Sequence, residues 1–162
     1  LELYRAPEKL IYRFINRQLV FAYDDRQRLT LNSCNVVIPH IPGLDMRYIM
    51  AILNSRVAQY IYEKRYNAVK VLRSHIENIP VPVADEETQR HIISKAEELM
   101  AEELITESSV NSEMQTYKTG KDHLQRYRLY EEIDDIVRKL YSVTDEEYEF
   151  IKQSLSGDKY ML

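Results

Sequence analysis

The sequence predicts a mixed α+β fold, α/β in the broad sense, because strand-like runs fill its first third and helical periodicity fills most of the rest. The early runs are short, aromatic and β-branched, whereas later apolar residues recur every three or four positions. The chain has 162 residues, 44% of them hydrophobic and 30% charged, which suffices for a core. We expect a small, mostly antiparallel sheet with a packed helix, then a long helical hairpin and a short C-terminal helix.

The predicted strands lie before Pro39. Residues 10–14 and 19–23 are rich in aromatic and β-branched side chains, and residues 29–31 and 36–38 flank a polar stretch. The closely spaced runs predict a meander or another small antiparallel sheet.

The next predicted element is one helix from Asp45, which suits an N-cap, to about Asn67. Its apolar residues share one face: Ile49, Ile52, Leu53, Val57, Tyr60 and Ile61. Its polar residues share the other: Asn54, Arg56, Gln59 and Glu63. A basic connection over 68–75 and an extended segment over 76–83, which contains two prolines, complete a first predicted domain, 1–83.

The second predicted domain, 84–162, is helical. Acidic residues open a helix over 85–107, where they suit the helix dipole. Residues 106–120, rich in Ser and Thr, predict a linker before a second helix over 121–141 with heptad-like apolar spacing. A capping box that starts at Thr144 predicts the short last helix.

The charge is divided unequally between these two parts. Residues 1–83 hold 12 Lys and Arg against 7 Asp and Glu, a net of +5, whereas residues 84–162 hold 10 against 19, a net of −9. A basic first part favours a polyanionic partner, although solvated acidic helices alone would produce the same division.

Motifs for several kinds of chemistry are missing from the sequence. It has no Gly-rich phosphate loop and no serine-hydrolase or zinc-hydrolase motif, and its single cysteine, Cys34, and four histidines lack zinc-ligand spacing. The lone cysteine also suits a cytoplasmic setting, and no apolar run is long enough for a membrane span. We interpret the adjacent carboxylates Asp24-Asp25 and Asp134-Asp135 as solvated charges, and His75 as an ordinary polar residue.

A basic cluster is the best candidate site. Phosphates attract flexible cations, and Arg, Lys, Asn and Gln read base edges. Four cations fall within ten residues, interleaved with tyrosines: Lys64, Arg65, Lys70 and Arg73. Weaker candidates lie in the strand region: Arg26, Arg28, Asn32 and Ser33. The alternative for the first two cations is a helix C-terminus, where the dipole favours positive charge without DNA.

Several segments together resemble a known family. They are Pro7–Arg13, Leu19–Asp24, Leu31–Ser33 before Val36–Ile38, Tyr48–Arg56, and Val71–Arg73 followed by Ile79–Pro82. Their order and spacing resemble the TaqI-like C-terminal specificity domain, the target-recognition domain of type II and IIG restriction–modification adenine-specific DNA methyltransferases. The Pro-x-Pro segment is also similar to specificity subunits of type I restriction enzymes.

The resemblance implies sequence-specific binding of double-stranded DNA, which positions the duplex for methylation by an N-terminal methyltransferase domain of the same parent chain. That domain would bind S-adenosylmethionine, so we expect no cofactor, metal or catalytic site in this chain. The start at Leu1, without Met, favours a piece of a longer cytoplasmic protein of bacteria or archaea, with a fused endonuclease left open. The alternative function is protein–protein docking or dimerisation through the C-terminal helices.

Overall fold

The computed structural model describes residues 2–30, 33–108 and 115–157, with side chains described outside 102–122. After a short 3-10 turn, Leu3–Arg5, the elements in chain order are β1 (Lys9–Arg13), β2 (Phe21–Asp24), β3 (Cys34–Val37), α1 (Met46–Leu53), α2 (Arg56–Tyr66), α3 (Arg73–Glu77), α4 (Glu86–Ser108), α5 (Gln115–Leu140) and α6 (Asp145–Ser154). The predicted mixed α+β class is confirmed.

The sheet has the strand order β2-β1-β3, with both outer strands antiparallel to β1. An antiparallel sheet was predicted and is confirmed, but the meander is wrong because the first strand is central. The chain must cross from one side of β1 to the other between β2 and β3. Residues 29–30 of the predicted extra strand form no strand, and Leu31 lies outside the described residues.

One buried cluster joins the sheet to the helices. Helix α1 is buried along most of its length because nearly every residue in it is apolar. It packs between the sheet and α4, and α4 packs against α5. The most completely buried members of the cluster come from all these elements: Leu10, Tyr48, Ile52, Ile92 and Val137. The C-terminal helices therefore share a core with the sheet.

The predicted single helix over 45–66 is wrong, since a break at Asn54 and Ser55 divides it into α1 and α2. Asp45 caps α1 as predicted, accepting from the Arg47 amide at 2.8 Å. Ser55 caps α2, accepting from the Ala58 amide at 3.1 Å, while its hydroxyl donates to a carbonyl of the last turn of α1. Apolar periodicity continues through the break, so only the serine signals it.

The C-terminal helices extend further than the sequence suggested. Helix α4 continues to Ser108 and α5 begins at Gln115, so the predicted linker over 106–120 is too long. Adding residues to an existing helix costs little compared with nucleating one, which lets polar residues extend both ends.

The capping box of α6 is confirmed, with Thr144 and Glu147 exchanging hydrogen bonds of 2.9 and 3.2 Å. Helix α3 replaces part of the predicted connection and the start of the extended segment.

Candidate nucleic-acid interface

The four main candidate cations lie on one continuous segment. Lys64 and Arg65 are in the last turn of α2, and Arg73 is the first residue of α3. The helix ends at Asn67, which adopts a left-handed conformation with φ of 36°. This C-cap turns the chain into the loop that carries Lys70.

The loop pairs with the end of β1. The Asn16 amide donates to the Val69 carbonyl at 3.0 Å, and the Val71 amide donates to the Phe14 carbonyl at 2.7 Å. Between these bonds Lys70 forms an antiparallel bridge with Ile15. We call this two-stranded unit, residues 13–17 and 69–72, the ribbon. It fixes the backbone of Lys70 to the sheet.

An aromatic cluster supports the ribbon from α2 and α3. Tyr66 and His75 stack with ring centroids 4.1 Å apart, and Tyr62 lies within 6 Å of both rings. The buried Tyr62 hydroxyl donates towards the Ala68 and Lys70 carbonyls at 3.3 and 3.4 Å. Burial raises the pKa of Tyr62, so the hydroxyl keeps its proton. These contacts hold the loop in one place.

His75 has a structural role in this cluster. Its Nδ1 accepts from the Leu72 amide at 3.2 Å, which satisfies a free N–H group at the start of α3. Ring stacking and this bond account for its position without any reaction.

The four main candidate cations differ in the hydrogen bonds and ion pairs that they form with other residues of the chain. The Arg65 guanidinium donates to the Asn78 carbonyl at 2.6 Å, and the Lys64 amine lies 5.4 Å from the Tyr60 ring centre. Arg73 pairs with Glu77 at 2.6 Å, but both side chains are more than half exposed, so water screens the pair. Lys70 has no ion pair with any residue in the described ranges.

Ser33 lies at the same end of the sheet as the ribbon. It immediately precedes β3, whose first residue, Cys34, is opposite Arg13 at the end of β1. Ser33 is exposed. Asn32, its predicted companion, lies outside the described residues.

Arg26 and Arg28 lie at the opposite end of the sheet, after the last residue of β2. That residue, Asp24, is opposite Lys9 in the register and forms a buried ion pair with it. Its carboxylate also accepts from the Arg26 and Arg28 amides at 3.3 and 2.9 Å. Burial opposes ionisation, but the lysine and the two amides outweigh it and hold the pKa of Asp24 below its usual value.

These two arginines border a groove of about 620 Å³ between β2 and helices α1, α4 and α5. The groove also has apolar and acidic walls, including Met50, Met100 and Glu97. The structure therefore separates the weaker candidates Arg26 and Arg28 from the ribbon.

Sequence reasoning missed a buried charged cluster around Arg56. The sequence places Arg56 only on the polar side of the predicted helix, but this side chain is 3% exposed and meets Glu131 at 2.6 Å and Asp134 at 3.4 Å. The predicted solvation of Asp134 is wrong, because this fully buried carboxylate accepts from the Arg56 amide at 3.0 Å and from the Tyr148 hydroxyl. Burial, with the adjacent Asp134, raises the pKa of Tyr148 far above its usual range.

Helix α6 contacts α2 along its length beyond this cluster. Glu63 accepts from the Ser156 hydroxyl at 3.0 Å, and the Tyr60 and Phe150 rings meet edge to face. Gln59 of α2 is buried as well, bonding the Leu19 amide at 2.7 Å. The polar side of α2 is therefore an internal contact surface, and the position of the helix is fixed from both sides.

No group of three or more His, Cys, Asp or Glu side chains with metal-binding geometry occurs in the described part of the chain. Within the same ranges, none of the helices combines the length and apolar character needed to cross a membrane.

The sheet and helices thus hold the backbone of the segment that carries these cations in place. The chain belongs to the TaqI-like C-terminal specificity domain family, whose model matches residues 1–81. A specificity domain of this family recognises a DNA target for a methyltransferase. The match covers the sheet and helices α1 to α3, which carry every candidate contact. No curated protein matches the chain.

Proposed function

We propose that this chain is the target-recognition domain of a restriction–modification adenine-specific DNA methyltransferase. It would bind duplex DNA in a fixed register and present it to a methyltransferase domain placed N-terminally in the parent chain. Family membership supports DNA target recognition. The adenine specificity and the domain order rest on the resemblance of the segments described above.

The observation that carries the proposal is the fixed cationic segment from Lys64 to Arg73. Residues 64–76 contain no acidic side chain, and among the described residues the only ion pair of the four cations is that of Arg73 with Glu77. The ribbon and the aromatic cluster hold its backbone. A surface that is both cationic and ordered suits phosphate contacts that set the register of a duplex.

The proposed division of labour places the chemistry outside this chain. Methylation of an exocyclic amine requires the base to leave the stack, and S-adenosylmethionine would be held by the methyltransferase domain. The present residues are proposed to hold the flanking duplex and to bind no cofactor. The proposed main contacts with DNA are made by Lys64, Arg65, Lys70 and Arg73. The proposed secondary contacts are made by Arg26, Arg28, Asn32 and Ser33.

Salt dependence of duplex binding tests these residues. Lys70→Ala with Arg73→Ala removes two proposed phosphate contacts, so the log–log slope of affinity against salt should fall by roughly two. The measurement is fluorescence anisotropy of a labelled duplex at several salt concentrations.

Arg90→Ala with Lys139→Ala is the matched control, since it removes the same charge from exposed sites on α4 and α5. The control should keep the wild-type slope. An unchanged slope in the first variant, or equal losses in both, would count against the proposed contacts.

A further inference from the structure

The outward face of the ribbon combines aliphatic and cationic side chains. Ile15 and Lys70 are directly opposite, with hydrogen bonds only between their neighbours, so their side chains stand on the same face. Alternation from Lys70 places the exposed Leu72 on that face, and two exposed cations lie two positions to either side of Ile15, Arg13 and Arg17. We call these five residues the ribbon face.

The opposite side of the ribbon is turned inward at Phe14 and Val71, whereas Val69 at its end is 55% exposed. Val71 is buried in the main cluster, and Phe14 packs against it from the end of β1. The ribbon is therefore anchored by one side, and the exposure of the other side is not a consequence of a loose loop.

Two aliphatic residues on the ribbon face remain open to solvent. Ile15 is 59% exposed and Leu72 is 50% exposed. A single exposed aliphatic residue needs no explanation, but two on one anchored face indicate a contact surface.

The charge of the ribbon face identifies the partner as a polyanion. Arg13, Arg17 and Lys70 have no ion pair with any described residue. Residues 13–23 and 64–76 contain no acidic side chain. A partner that supplies negative charge around an apolar feature would therefore complement this face. Duplex DNA does so in the major groove, where phosphates border the C5-methyl group of thymine.

We propose that the ribbon face enters the major groove and that Ile15 and Leu72 pack against a thymine methyl group, while the three cations bind the flanking phosphates. This inference rests on the proposed function and adds a base preference to it. A two-stranded ribbon fits a groove about 12 Å wide. Neither aliphatic residue can hydrogen-bond, so each can distinguish thymine only through its methyl group.

The test uses the chain and a duplex selected by binding from a random-sequence pool. Each thymine of that duplex is replaced in turn by uracil, which removes only the methyl group. At one or more positions the wild-type dissociation constant should rise roughly four-fold, the value of one buried methyl group. Ile15→Ser with Leu72→Ser should bind thymine and uracil duplexes equally at those positions while keeping the salt slope.

Val83→Ser is the control, because Val83 is an exposed aliphatic residue outside the ribbon and beyond the family match. It should keep the thymine preference. Ile15→Ser alone, which leaves Leu72 in place, repeats the test with less disturbance of the ribbon, and its thermal midpoint should equal that of wild type because Ile15 is exposed.

Each remaining outcome overturns a distinct claim. If no duplex is selected, the proposed function fails. If one is selected but wild type tolerates every uracil, or the double serine variant keeps the preference, this inference fails and the proposed function stands. The inference also fails if the serine variant instead loses binding to the methyltransferase domain while its DNA binding is unchanged.

Discussion

At the scale of single residues, several polar side chains within the fold are buried and paired. Arg56, Asp134 and Tyr148 join α2 to α5 and α6, and Asp24 with Lys9 closes one end of the sheet. The sequence predicted solvent exposure for two of these side chains, Asp24 and Asp134, and the structure buries both. A short charged motif looks the same in a helix whether its side faces water or another helix, so local periodicity could not distinguish the two.

The carboxylate of Asp134 should stabilise the fold far more than that of Asp135, the next residue in the chain. Asp134→Asn removes a fully buried negative charge that faces the buried Arg56 guanidinium, so the free energy of unfolding should fall by about 3 kcal/mol. Asp135→Asn is the control, because Asp135 is half exposed and its buried partner Arg138 also pairs with Asp145, so this change should cost less than about 1 kcal/mol. Urea denaturation measures both, and equal losses would contradict the structure.

Acid should remove the contribution of Asp24. Its pKa is lower in the folded chain than in the unfolded one, so its stabilising effect is complete above the unfolded value of about 3.9. The effect is then lost as the pH falls towards the lowered folded pKa.

The measurement is the free energy of unfolding of wild type and Asp24→Asn from pH 7 to pH 2. The difference should be constant at neutral pH and shrink below about pH 4. A difference that grows in acid would contradict the assigned ion pair.

At the scale of elements, the sequence predicted the three strands of the sheet, the caps at Asp45 and Thr144, and the final helices, but it also predicted a strand over 29–31 that residues 29–30 do not form. It did not predict the break at Ser55, because apolar spacing runs through it. It also could not predict the ribbon, since Ile15 and Lys70 are far apart in sequence and their pairing depends on the fold of the whole first half. The sequence thus predicted which cations form the candidate site, but it did not predict the ribbon that holds them in place.

The Ser55 hydroxyl, at the break between α1 and α2, should make a large contribution to the free energy of unfolding. Ser55→Ala removes the cap of α2 and leaves the buried Ala58 amide unsatisfied, which should cost about 2 kcal/mol. Ser154→Ala is the matched control, because that hydroxyl bonds the Phe150 carbonyl near the exposed end of α6. Chemical denaturation of the two variants should differ by more than about 1 kcal/mol, and similar values would argue against the cap.

At the scale of the whole molecule, the acidic helices support the basic half through a common core. The family match ends at residue 81, yet α4 and α5 contribute Ile92 and Val137 to the buried cluster that contains the sheet. Tyr141, the residue after α5, donates to the Pro80 carbonyl at 2.5 Å. Such contacts cross position 83, which is the predicted boundary between the two domains. The division into two domains at this position stays a prediction.

The most direct measurement is sequencing of duplexes that the chain retains from a random pool, together with light scattering of the chain alone and with a retained duplex. Our account predicts enrichment of one motif and a complex of one chain with one duplex. Retained sequences indistinguishable from the starting pool, with a dimer that DNA does not alter, would contradict target recognition and favour the docking alternative.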